Sequence, residues 1–198
     1  MKAVLLSQRV VQDSEHGERR DALDQRWPAF LRTCGYAAVP VPNVSGLPEA
    51  LFELLRPAGV VLTGGGDLVR YGGDAPERDE VETELLAAAR RKSVPVLGVC
   101  RGLLVIQTSF GGLIDRVAGH VAVRHSLRGA SGRVEVNSFH NWGVLVPAPN
   151  LEATAVASDG VVEALDAVYE PIRAVMWHPE REAPSDPADI SLVRSLFQ

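Results

Sequence analysis

Between Ala3 and Val99, short apolar runs alternate with stretches that carry their hydrophobic residues at helical spacing, and no other feature constrains the fold as strongly. Ala3–Ser7 predicts a strand. Glu18–Gly35 then reads as a helix, with Leu23, Trp27, Phe30 and Leu31 on one face and Gly35 as its stop. "YAAVPV", the helical "LPEALFELL" and "GVVLT" follow. From Asp74 to Lys92 the chain carries acids and Pro76 in its first turn and Arg90, Arg91 and Lys92 in its last, which suits a helix macrodipole. That helix leads into "VPVLGV", a further strand. Such alternation implies right-handed crossovers, and so an α/β fold with a mostly parallel central sheet and helices on both faces.

Beyond Gly111 the texture changes. "RVEVNS", "EATAVAS" and "GVVEAL" are short strand-like pieces separated by Gly, Pro, Asn and Asp, which predicts a small antiparallel extension, and "DPADISLVRSLF" reads as a closing helix. The 198 residues have no linker, repeat or low-complexity tract, so a single domain over 1–198 is expected. A net charge of −5 offers no footprint for nucleic acid or an acidic membrane surface. Neither a signal-peptide core nor a membrane span is visible, and two cysteines make no disulfide framework, so a cytoplasmic protein is the expectation.

In open α/β sheets, function collects at the carboxyl ends of the strands. Both Gly-rich stretches, "TGGGD" and "GVCRG", stand at such ends. Cys100, with Gly98 and Gly102 two residues to either side, has the spacing of a nucleophile elbow between a strand and a helix. A thiol at that helix N-terminus would be biased toward thiolate. The same spacing also suits an inert core thiol on a tight turn. His178 and Glu180 in "VMWHPERE" could act as base and orienting carboxylate, since residues i and i+2 share a face in an extended segment; a surface turn is the alternative. The N–H groups of Gly65 or Gly66, together with that of Arg101, could receive an oxyanion, although three glycines also simply make a turn. The five histidines show no metal-ligand spacing.

Taken in order, "VVLTGGGD", "PVLGVCRG", "VNSFHN" and "MWHPE" resemble the class I glutamine amidotransferase superfamily, in its branch of γ-glutamyl hydrolases that includes the γ-glutamyl-γ-aminobutyrate hydrolases. The resemblance spans nearly the whole chain. It implies a flavodoxin-like fold, a Cys100-His178-Glu180 triad, no cofactor or metal, and a small-molecule γ-glutamyl substrate. A homodimer is compatible with it. "ERRDALDQRW", "GGGDL", "ERDEVE" and "MWHPERE" further resemble the γ-glutamyl-CDP-amidate hydrolases, which release glutamate to leave cytidine diphosphoramidate for surface-polysaccharide decoration. By the same resemblance, Arg78, Asp79 and Glu82 match an Arg-Asp-x-x-Glu pattern near the site entrance, where an ordinary helical ion pair is the alternative. Backbone groups of Ser138 and Phe139 would border the acyl pocket, with His140 beside them. Arg124 and His125 lie in a polar "VRHSL" that reads as a solvated loop or a phosphate contact. Leu104 stands where the family usually has a glutamine, which implies a weakened hold on the bare glutamyl group and poor use of free glutamine; Gln107, one turn on, is the nearest substitute. A glutaminase subunit feeding ammonia to a partner synthase is the competing reading, followed by a catalytically silent protein of the same fold.

Overall fold

The computed structural model describes residues 1–129 and 135–198. The amino-terminal half contains β1 (Lys2–Leu6), β2 (Arg9–Gln12), β3 (Arg19–Ala22), α1 (Arg26–Cys34), β4 (Tyr36–Pro40), α2 (Leu47–Leu55), β5 (Gly59–Leu62), α3 (Pro76–Lys92), β6 (Val96–Val99) and α4 (Arg101–Ser109). The remainder contains β7 (Asp115–Arg116), β8 (Val121–Gly129), β9 (Glu135–Phe139), β10 (Trp142–Gly143), β11 (Leu151–Ala157), β12 (Val162–Ala167), β13 (Ile172–Val175) and α5 (Pro187–Leu196).

Nine strands form one sheet in the order β4-β1-β5-β6-β13-β12-β11-β8-β9. From β4 to β13 every pairing is parallel, and from β13 to β9 every pairing is antiparallel. The antiparallel extension is therefore continuous with the parallel half. Side chains alternate across the sheet: Leu5, Val60, Leu62 and Val96 pack under α2, α3 and α4, whereas Val4, Leu6, Val61 and Leu97 pack against α1 and α5. Burial on both faces explains why these strands read as unbroken apolar runs.

Two expectations are corrected. Glu18–Gly35 is not one helix: Arg19–Ala22 pairs with Arg9–Gln12 as a hairpin, and α1 starts only at Arg26. Trp27, Phe30 and Leu31 nevertheless make the buried helical face, and Gly35 ends the helix at φ 97°. The "VRHSL" segment is strand β8, not a loop. Among the described residues no helix is long and apolar enough to cross a membrane.

Candidate active site

Cys100 follows β6 directly, with φ 52° and ψ −105°, a conformation that a non-glycine residue holds only when its surroundings enforce it. Here they do. Its N–H donates to the Val175 carbonyl of the neighbouring strand at 2.7 Å, while its own carbonyl starts α4 by accepting from Leu103 at 3.0 Å. The flanking glycines are dictated by close approach, since a Cβ on Gly102 would lie 2.1 Å from the Leu62 carbonyl oxygen and one on Gly98 would lie 2.6 Å from Ile106. The thiol is thus held at the mouth of α4, where the helix dipole favours an anion.

His178 follows β13, the parallel neighbour of β6. Its Nδ1 lies 2.7 Å from Glu180 Oε1, both side chains being buried. The carboxylate reaches back from a 3-10 turn over Pro179–Arg181, so the pairing forms even though the segment is not extended as expected. Burial alone would lower the His178 pKa, but hydrogen bonds to the Cys100 sulfur and to Glu180 outweigh it and raise the value to about 9. The His178 ring therefore carries a proton on both nitrogens at neutral pH. Cys34 is the contrast: burial without a base pushes its thiol up to about 11.

The glycine loop after β5 is positioned by one side chain. Arg78, buried on α3, places its guanidinium on three successive carbonyls, of Thr63 at 2.8 Å, of Gly64 at 3.2 Å and of Gly65. In a trans peptide the N–H points opposite to the C=O, so the N–H groups of Gly64, Gly65 and Gly66 face away from Arg78. Gly65 and Gly66 have φ of 90° and 74°, backbone that favours glycine. Gly64 matters differently: a Cβ there would stand 2.6 Å from the His178 ring and 3.3 Å from Cys100 Cβ. Arg78 is held in turn by Glu82 at 2.9 Å, and the fully buried Glu82 also accepts from Ser7 at 2.8 Å and pairs with Arg101. Asp79 takes the other side of the Arg101 guanidinium and caps the Val69 N–H at 2.9 Å. The Arg-Asp-x-x-Glu pattern therefore forms a charge-balanced network that joins the glycine loop to Arg101, the residue after Cys100.

The remaining expected residues divide. Phe139 sets its ring edge-on to His178, centroids 5.9 Å apart, and the Ser138 hydroxyl donates to the His120 carbonyl. Arg124 pairs with Glu135 and Glu182. Leu104 is buried in the core under α4, and Gln107 is turned away: its amide spans the Leu113 and Val146 carbonyls and the Ala148 N–H. Gln107 therefore does not stand in for a glutamine at 104. His140 sits with His120, His125 and Glu163 in a separate cluster. Sequence reasoning missed that cluster, and also Gly64 and Asn137. The signal for Asn137 was its place in "VNSFHN".

With this geometry in hand, the sequence profile of peptidase C26 matches residues 4–129 and 119–180. The chain belongs to the peptidase C26 family. Membership makes it a hydrolase of amide bonds. Among curated proteins, this C26 chain is 28% identical over 180 residues to a γ-glutamyl-CDP-amidate hydrolase of Campylobacter jejuni, covering 89% of each chain. It is 26% identical to the γ-glutamyl-γ-aminobutyrate hydrolase of Escherichia coli K12, covering 92% of this chain and 86% of the other. A solved structure of a glutamine amidotransferase from Thermotoga maritima superposes with a TM-score of 0.67 at 14% identity, covering 98% of this chain and 83% of that one. That likeness establishes the α/β fold of the family.

Proposed function

We propose that this C26 chain hydrolyses a γ-glutamyl amide through Cys100, His178 and Glu180, releasing glutamate, with a nucleotide diphosphoramidate such as γ-glutamyl-CDP-amidate as the substrate class. The observation that carries the chemistry is the buried His178–Glu180 pair beside a thiol on a strained elbow. The Cys100 thiolate attacks the γ-carbonyl, and the oxyanion is received by N–H groups of Arg101 and of the Gly65–Gly66 loop. The imidazolium of His178 protonates the leaving nitrogen. The neutral ring then takes a proton from water, whose oxygen attacks the thioester, and glutamate leaves as the Cys100 thiolate departs, restoring the thiolate and imidazolium. Glu180 keeps the ring's orientation and tautomer throughout.

The leaving-group reading is supported by the similarity to the Campylobacter protein and by two guanidinium groups beside the triad. Arg9 and Arg181 line a cleft with Gly64, Gly65, His178 and Glu180. Arg181 lies over the Phe139 ring at 4.5 Å, beside the base. Such groups suit an anionic leaving group. Leu104 removes one amide from the acyl side, so affinity shifts to the leaving-group side.

The test is to incubate the purified chain with free glutamine, γ-glutamyl-γ-aminobutyrate and γ-glutamyl nucleotide phosphoramidates and to quantify glutamate. The nucleotide substrate should exceed glutamine in kcat/KM by about tenfold or more, the scale of one or two polar contacts. Ammonia release that requires an added synthase would instead favour a glutaminase that works as part of an amidotransferase complex.

A further inference from the structure

Behind the strand that carries Phe139, four side chains converge from three separate parts of the fold. His120 precedes β8, His125 lies on it, His140 follows β9, and Glu163 lies on β12. One ligand atom from each can be chosen so that all four lie within 4.8 Å of one another. His120 Nδ1 and His140 Nε2 stand 3.4 and 3.3 Å from the same Glu163 oxygen. A tetrahedral zinc ion with bonds of about 2.0–2.1 Å sets its ligand atoms roughly 3.3 Å apart, so these edges already have the required length.

Hydrogen bonding within the cluster is the decisive point. His120, His140 and Glu163 are 1%, 4% and 0% exposed. His120 Nδ1, His125 Nε2, His140 Nε2 and both Glu163 oxygens are buried without a hydrogen-bond partner among the described residues. Unpaired buried groups of this kind are costly, and a buried carboxylate most of all. The outward nitrogen of His140 donates to the Trp142 carbonyl at 2.9 Å, and that of His120 donates to the Asp159 carboxylate at 2.8 Å. The two rings stand with centroids 4.7 Å apart in the interior. The outer nitrogens of both rings are thus anchored as those of metal-bound histidines usually are, and the inner nitrogens are turned toward Glu163.

We propose that His120, His125, His140 and Glu163 form a closed site for a divalent transition-metal ion, with zinc as the ion that three imidazoles and a carboxylate in tetrahedral array best suit. Four protein ligands leave no open position, so the ion is structural. It ties the paired strands β8 and β9 to β12, and so fixes the wall from which Phe139 and Asn137 reach His178. The site stands independently of the substrate assignment.

The experiment measures metal content and stability without reference to turnover. Protein produced in zinc-supplemented medium and passed over a desalting column should hold close to one zinc per chain by mass spectrometry, and Glu163→Gln and His125→Ala should each hold less than about a tenth of that. Unmodified protein stripped with a chelator and titrated with Co2+ should develop the visible bands of tetrahedral cobalt, saturating at one equivalent. Its Tm should rise by roughly 5–10 °C when zinc is restored. A stripped protein that takes up no Co2+ and melts identically with and without zinc would overturn the proposal, as would equal zinc content in the unmodified chain and both variants. If the variants do not fold, the titration of the unmodified chain decides.

Discussion

Asn137 grips the main chain of His178 from both sides: its Oδ1 accepts from the His178 N–H at 2.9 Å, and its Nδ2 donates to the His178 carbonyl at 3.0 Å. His178 is therefore positioned by β9 as well as by Glu180. Asn137→Ala should lower kcat about tenfold or more while leaving KM nearly unchanged, because a misaligned imidazole affects the transition state and not substrate binding. Asn137→Asp keeps the acceptor and loses the donor, and steady-state kinetics should place it between the two. Equal kinetics for Asn137→Ala and the unmodified chain would remove this role.

Cys100→Ser should abolish turnover without lowering Tm appreciably, since the volume is nearly kept while a weakly acidic hydroxyl replaces the thiol. Iodoacetamide should alkylate Cys100 much faster than Cys34, whose thiol is raised to about 11 by burial. Peptide mapping of the modified protein would show which sulfur reacts first.

The His178 proton sets the alkaline behaviour. Its folded pKa of about 9 lies above the ordinary histidine value of 6.5, so the folded state holds the proton more tightly than the unfolded chain. The associated stabilisation is complete below about pH 6.5 and is lost as pH rises through about 9. The same deprotonation removes the acid for the leaving nitrogen, so kcat/KM should fall with an apparent pKa near 9. Melting curves of His178→Asn should lack this alkaline component, and parallel loss of Tm in both proteins would count against the assignment.

Gly64→Ala should inactivate the enzyme at little cost to folding. Its methyl group would meet the His178 ring at 2.6 Å, beside the Cys100 Cβ, and displace the base from the thiol. The expected signature is a Cys100 alkylation rate that falls toward that of Cys34. An unchanged rate would show that the ring yields without losing the sulfur.

Glu82→Gln should be strongly destabilising, by about 3–5 kcal/mol, because Arg78 and Arg101 would keep two buried positive charges with one carboxylate fewer. Urea unfolding would measure it. Glu77, on the exposed side of the same helix and paired with Arg19, provides the comparison: Glu77→Gln should cost about 1 kcal/mol or less.

How much was legible depended on hydrophobic pattern. The strands buried on both faces and the helices α2 and α3 carry it, and both were readable at nearly their observed bounds. The β2–β3 hairpin is mostly exposed and charged, so Arg19–Ala22 passed for the start of a helix. Strand β8 reads as polar because most of its residues face solvent. Cys100, His178 and Glu180 were found from local spacing and resemblance. His120, His125, His140 and Glu163 were not, since their meeting depends on how β8, β9 and β12 stack. No spacing rule encodes that.

Cys100 and His178, the proposed nucleophile and base, leave the sheet from adjacent parallel strands in register, Val99 beside Val175. Their spacing starts from the sheet's inter-strand repeat, and the short segment from Val175 to His178, held by Asn137, completes it. Of the two guanidinium groups proposed to meet the leaving group, Arg9 belongs to the β2–β3 ribbon, outside the main sheet, and Arg181 to the turn just after Glu180. A lineage can therefore retune what it cleaves by redrafting the margins of the molecule, while the reactive couple stays mechanically insulated at the centre.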